Sequence, residues 1–123
     1  MSENVPAWLQ EELARYDQLQ QTLQALLAQK QQVDLEIAEL DRALEELQKQ
    51  PDDVEVYKVA GSIMIKSNKQ DLLKELQEKK ELANTRRTVL SKQEEKVRQS
   101  IQEVQNKLTQ ALRGGSTGQQ VAT

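Results

Sequence analysis

Two long stretches of the chain repeat apolar residues at alternating steps of three and four. The first passes through Tyr16, Leu19, Leu23, Leu26, Lys30, Val33, Ile37, Leu40, Leu44 and Leu47. The second passes through Leu73, Leu76, Lys80, Ala83, Arg87, Leu90, Glu94, Val97, Ile101, Val104, Leu108 and Ala111. Such spacing lines one side of a helix and, held over several heptads, marks a coiled-coil seam. Leu9 and Leu13 extend the first seam toward its start after one irregular step, because Leu13, Tyr16 and Leu19 are spaced three and three. The pattern predicts helices over about residues 6–49 and 68–112. Pro6 is tolerated in a first helical turn, and Pro51 pushes the residue before it out of the helical region. Ser67 with Gln70 fits a capping box at the start of the second helix. Gly114-Gly115 fits a stop at its end. Residues 114–123 have the composition of a flexible linker and read as a disordered tail.

Between the arms the period changes. From Pro51 to Lys66 the chain is rich in β-branched residues. Val54, Val56, Val59, Ile63 and Ile65 suit a pleated strand, and Gly61-Ser62 supplies a two-residue turn with glycine first. This predicts a β-hairpin over about residues 54–66, with Ala60 opposite Ile63 and Lys58 opposite Ile65. One face would carry Val54, Val56, Ala60, Ile63 and Ile65, and the other Tyr57, Val59 and Met64. A lone two-stranded hairpin is marginal in water, and its edges offer unpaired backbone groups. The expectation is therefore pairing with hairpins of other chains. The predicted fold is mainly α, an antiparallel two-helix coiled coil with one β-hairpin between the helices. It would form one domain over residues 1–113. The arms, of roughly 44 and 46 residues, would each run about 65–70 Å. With Leu47 opposite Leu73, both termini lie at the end far from the hairpin.

Composition narrows the function. The 123 residues include no Phe, no Cys, one Trp and two Tyr, too few aromatics for an ordinary globular core. The chain is 30% charged and 37% hydrophobic, as long helices are. A net charge of −3 with both signs interspersed argues against a nucleic-acid partner. No apolar run reaches the length needed to span a bilayer, and the start lacks a secretory pattern. A soluble, cytoplasmic protein with no membrane partner is expected. Without His or Cys, the commonest general base, metal ligand and thiol nucleophile are missing. No phosphate-cradling glycine loop occurs. Asp52-Asp53 reads as turn chemistry, and the Lys79-Lys80 and Arg86-Arg87 pairs as a solvated face. No enzyme activity, catalytic residue, cofactor or metal site is expected.

The end of the coil away from the hairpin is more informative. Val5, Trp8 and Leu9 start the first arm, and Leu108, Ala111 and Leu112 end the second. Trp8 and Leu112 lie beside the seam, where a two-helix coil cannot bury them fully. Apolar side chains clustered at an open end are candidates for binding something apolar.

The stretch Asp53-Val-Glu-Val-Tyr-Lys-Val-Ala-Gly-Ser-Ile-Met-Ile-Lys66 resembles the hairpin of the prefoldin family. Tyr16-Asp-Gln-Leu-Gln-Gln-Thr-Leu23 resembles that family's glutamine-rich opening, and Leu44-Glu-Glu-Leu47 and Lys92-Gln-Glu-Glu95 also fit. The likeness covers about residues 5–113. The short span between the arms holds one hairpin, which matches the β type; the compact form is similar to archaeal members. The resemblance implies a hexamer of two alpha-type and four beta-type subunits, whose hairpins build a β-barrel platform. It implies ATP-independent capture of non-native client proteins at the coiled-coil tips and their delivery to a group II chaperonin. Its assembly site would be Val54, Val56, Tyr57, Val59, Ile63, Met64 and Ile65. Its client site would include Val5, Trp8, Leu9, Leu108, Ala111 and Leu112. From the physics alone, a structural adaptor whose arms dock one folded partner stays open beside this chaperone reading.

Overall fold

The structure, a computed structural model, describes the backbone of residues 5–122 and the side chains of residues 5–113. The elements follow in the order α1 (Ala7–Gln48), β1 (Val56–Ala60), β2 (Ile63–Ser67) and α2 (Lys69–Ala122). The chain divides into two compact units. One is Gln29–Leu90, with the hairpin and the helix stretches beside it, and the other holds the remaining lengths of both helices.

In the hairpin unit, Val33, Leu44, Leu47 and Ala83 are buried, and Ile37, Leu40, Leu73, Leu76 and Leu90 are half-buried. These are the seam positions that the three-four spacing picks out. Ion pairs flank them, joining Asp41 to Lys80, Asp34 to Arg87, and Glu36 to Arg86. One heptad back from Asp41 to Asp34 is matched by one heptad forward from Lys80 to Arg87. The two helices are therefore antiparallel here, within one residue of the register that sets Leu47 opposite Leu73. Arg87 occupies a seam position by spacing, yet its side chain is half exposed because the guanidinium reaches out to Asp34.

In the other unit, Leu23, Leu26, Ile101 and Val104 are buried. Lys107 meets Glu12 at 3.5 Å, and the Gln105 amide donates to the Tyr16 hydroxyl at 3.4 Å. The seam departs from expectation at its start. Glu12, not Leu13, is the half-buried residue between Leu9 and Tyr16, and Leu13 is 48% exposed. Regular three-four alternation runs through residues 9, 12 and 16. Helical geometry thus prevails over side-chain polarity, and Leu13 is turned away from the seam.

The hairpin is antiparallel with Ala60 opposite Ile63 and Lys58 opposite Ile65, the expected register. Gly61 has φ +62° and no other residue in the turn has a positive φ, as a glycine-first two-residue turn requires. The strands are shifted slightly from expectation. β1 starts at Val56, and β2 runs on to Ser67, which pairs with Val56. Ser67 is thereby committed to the sheet, and the helix cap is Asn68. Its side-chain oxygen accepts the Asp71 N–H at 2.9 Å, and its amide donates to the Asp71 carboxylate at 2.8 Å. This replaces the expected pairing of Ser67 with Gln70. The α2 backbone continues through Gly114-Gly115 to Ala122, where a stop and an unstructured tail were expected. Glycine lowers helix propensity but, unlike proline, neither removes a donor nor clashes with the preceding turn. The side chains of residues 114–123, the expected tail, lie outside the described residues.

Candidate functional site

The hairpin exposes more large apolar surface than any other short stretch among the described residues. Tyr57, Val59, Ile63, Met64 and Ile65 are all exposed, Val59 by 70% and Met64 by 68%. Val54 and Val56 are half-buried. β1 alternates between half-buried and exposed, whereas in β2 only Ser67 is not exposed. β1 thus turns Val56, Lys58 and Ala60 inward, while Ile63, Met64 and Ile65 of β2 stand in the open. The sheet has two strands only, so each strand keeps one unpaired edge. Strand edges flanked by exposed β-branched and aromatic side chains are templates for pairing with another chain. All seven residues expected in the assembly site belong to this hairpin or its lead-in.

Two lysines, Lys69 at the hairpin's base and Lys58 midway along β1, were not singled out by sequence reasoning. Lys69, only 8% exposed, is the buried charged residue of the described chain. Its ammonium donates to the carbonyl oxygens of Gln48 at 3.3 Å and Gln50 at 2.7 Å, and meets Asp52 Oδ1 at 3.4 Å. Carbonyls at a helix C-terminus lack intrahelical partners, and Lys69 supplies them with a cation. The signal was present, since the second seam extended one step back from Leu73 lands on residue 69. Lys58, on the inward side of β1, meets Glu75 Oε1 at 3.1 Å.

The six residues expected to bind clients all lie in the unit that holds the chain ends. Trp8 is 49% and Leu112 76% exposed, while Val5, Leu9, Leu108 and Ala111 are half-buried. The Glu12–Lys107 and Tyr16–Gln105 contacts bring the start of α1 beside this part of α2. Continued in antiparallel register, they set Leu9 level with Ala111 and Trp8 level with Leu112. Leu13 joins this exposed apolar set. Sequence reading assigned it to the seam, so its availability was missed. One carboxylate oxygen of Glu12, Oε2, is buried without a hydrogen-bond partner. No helix among the described residues is long and apolar enough to cross a membrane.

Two long helices joined by a single two-stranded hairpin with open edges and exposed apolar side chains define the class of hairpin-linked coiled-coil proteins. The "Prefoldin subunit" family model matches residues 10–115. The chain is 43% identical to the prefoldin subunit beta of Methanothrix thermoacetophila, over 91% of this chain and 93% of that one. It is 44% identical to that of Archaeoglobus fulgidus, over 88% of this chain and 93% of that one. The crystal structure of the prefoldin beta subunit from Thermococcus strain KS-1 superposes with a TM-score of 0.84 at 37% identity, covering 89% of this chain and 96% of that one. The chain belongs to the prefoldin family, on the side of its beta subunits, as the hairpin and its flanking arms indicated.

Proposed function

We propose that this chain is a subunit of an ATP-independent holdase chaperone. Four copies would join two alpha-type subunits through their hairpins in the cytosol. The open ends of the coils would capture non-native proteins and deliver them to a group II chaperonin. The observation that carries this reading is the hairpin itself, with five large apolar side chains exposed beside two unpaired strand edges. Surface of this kind needs a partner, and membership in a subunit family supports one made of related chains.

The open end supports the second half of the reading. Exposed Trp8, Leu13 and Leu112 offer a client apolar contact without a closed pocket. Each such contact is weak, but a client touching several ends gains avidity through effective concentration. Fast dissociation from any single end then allows hand-over without nucleotide hydrolysis.

Native mass spectrometry of the chain mixed with an alpha-type prefoldin subunit tests the assembly. A six-chain complex with four copies of this protein is expected; a two-chain species indifferent to every alpha-type subunit would reject it. A charge at Val56 or Ile65 should break the complex. The double variant Trp8→Ser with Leu112→Ser should keep the native mass and lose most suppression of aggregation of an unfolded test protein. Undiminished suppression would remove these residues from the client site.

A further inference from the structure

The hairpin is attached to the coil unevenly. On one side, residues 49–55 lie between α1 and β1, and on the other only Asn68 separates β2 from α2. A two-stranded sheet held through one residue on one side and a longer linker on the other is free to rock about that residue unless something ties it. Apolar packing does not supply a full tie. An open groove bordered by Ala43, Lys58, Leu72, Glu75 and Leu76 lies between β1 and the helices, with the exposed Tyr57 and Val59 at its rim.

Two lysine ammonium groups supply the missing ties, at different distances from the pivot. Lys69 sits next to Asn68 and grips the end of α1 and the linker through Gln48, Gln50 and Asp52. Lys58 lies midway along β1 and reaches across the groove to Glu75. The linker is braced further by its own turn, in which the Val54 N–H donates to the Pro51 carbonyl at 3.1 Å. One covalent pivot and two separated ties define a direction, whereas a pivot and one tie leave a rotation open.

We propose that Lys58 and Lys69 are positioning residues that fix the angle at which the hairpin leaves the coil, and thereby the number of chains that its edges can close into one assembly. Strand edges joined head to tail make a closed ring only at particular rotations; otherwise they continue into open oligomers. Removing the ties therefore changes which oligomer forms, while the helices stay paired. This inference rests on the assembly reading above and adds to it the residues that set its geometry.

The test is native mass spectrometry of Lys58→Met, Lys69→Met and the double variant, each mixed with an alpha-type prefoldin subunit, beside wild type. Hydrogen exchange of the free chains is followed in parallel. The expected result is near-wild-type helical circular dichroism, severalfold faster exchange across residues 54–67, and a defined complex replaced by a spread of smaller and larger species. The swap Lys58→Glu with Glu75→Lys should restore the single mass, which a loss of general stability would not allow. An unchanged mass distribution in the double variant, with or without faster exchange, overturns the proposal. If Lys69→Met fails to fold, Lys58→Met and the swap decide alone. A wild-type chain that forms no complex rejects the assembly reading itself, which separates the two failures.

Discussion

Glu12 shows how strictly the coil enforces its geometry on single residues. The three-four alternation puts a carboxylate in the seam and leaves a leucine outside it, because a helix cannot rotate by one residue for one turn without unwinding. Lys107 lies 3.5 Å from one of the carboxylate oxygens, but the other oxygen is buried and unpartnered. An unsatisfied buried polar atom costs about 1–3 kcal/mol. Glu12→Leu is therefore expected to raise stability by about 1–2 kcal/mol in urea unfolding; a lower midpoint would contradict the placement of this side chain. The N-cap offers a second test. Asn68→Ala should cost about 1 kcal/mol, as loss of a capping oxygen does, whereas Ser67→Ala should change stability by less than about 0.5 kcal/mol. The opposite order would return the cap to Ser67.

At the scale of elements, the hairpin register and the seams were legible because each follows from a repeat. Two-residue turns with glycine first admit one register, and the alternation of three and four names the buried side of a helix almost residue by residue. Element ends were less legible, since several residues compete for each. Ser67 with Gln70 satisfies a capping pattern, but Ser67 also completes the ladder opposite Val56, and the ladder prevails. Lys69 was missed because it falls in the first turn of the second helix, ahead of Leu73, where the apolar repeat begins. In the fold its long stem lies buried and its ammonium reaches the carbonyls beyond. The exposure of Leu13 was illegible for a different reason, since its apolar side chain one step from the regular alternation reads as seam. The glycine in the turn yields a prediction at this scale. A Cβ on Gly61 would touch nothing within 4 Å, so the obstacle to substitution is φ +62° alone. Gly61→Asn should be tolerated and Gly61→Val should cost about 1–2 kcal/mol. Comparing the amide exchange of residues 56–67 in the two variants checks this, and equal protection would argue against a strained turn.

For the whole molecule, stability and association are expected to be linked. A chain whose hairpin exposes this much apolar surface when alone gains stability from anything that covers it, by mass action. The thermal midpoint should therefore rise with the concentration of an alpha-type subunit, and a midpoint that ignores it would speak against hairpin-mediated assembly. Salt should matter much less to the coil. The ion pairs Asp34–Arg87 and Glu36–Arg86 have side chains 41–55% exposed. Each such pair contributes about 0–1 kcal/mol and is screened at high ionic strength. Raising salt to 1 M should lower the midpoint of the free chain by only a few degrees, as followed by circular dichroism at 222 nm; a collapse of the helical signal would show that charge and not the seam holds the arms.

The single tryptophan gives the open end a spectroscopic identity. Trp8 is the only indole in the chain and is half exposed, so intrinsic emission reports that end with little contribution from the hairpin. In the free protein it should emit at long wavelength and be readily quenched by acrylamide. If the proposed client site is right, adding an unfolded polypeptide that lacks tryptophan should shift the emission to the blue and shield it from the quencher, giving a label-free binding isotherm; unchanged emission and quenching would remove Trp8 from that site. The same titration on Leu13→Ser would show whether the leucine turned out of the seam shares the ligand with the indole.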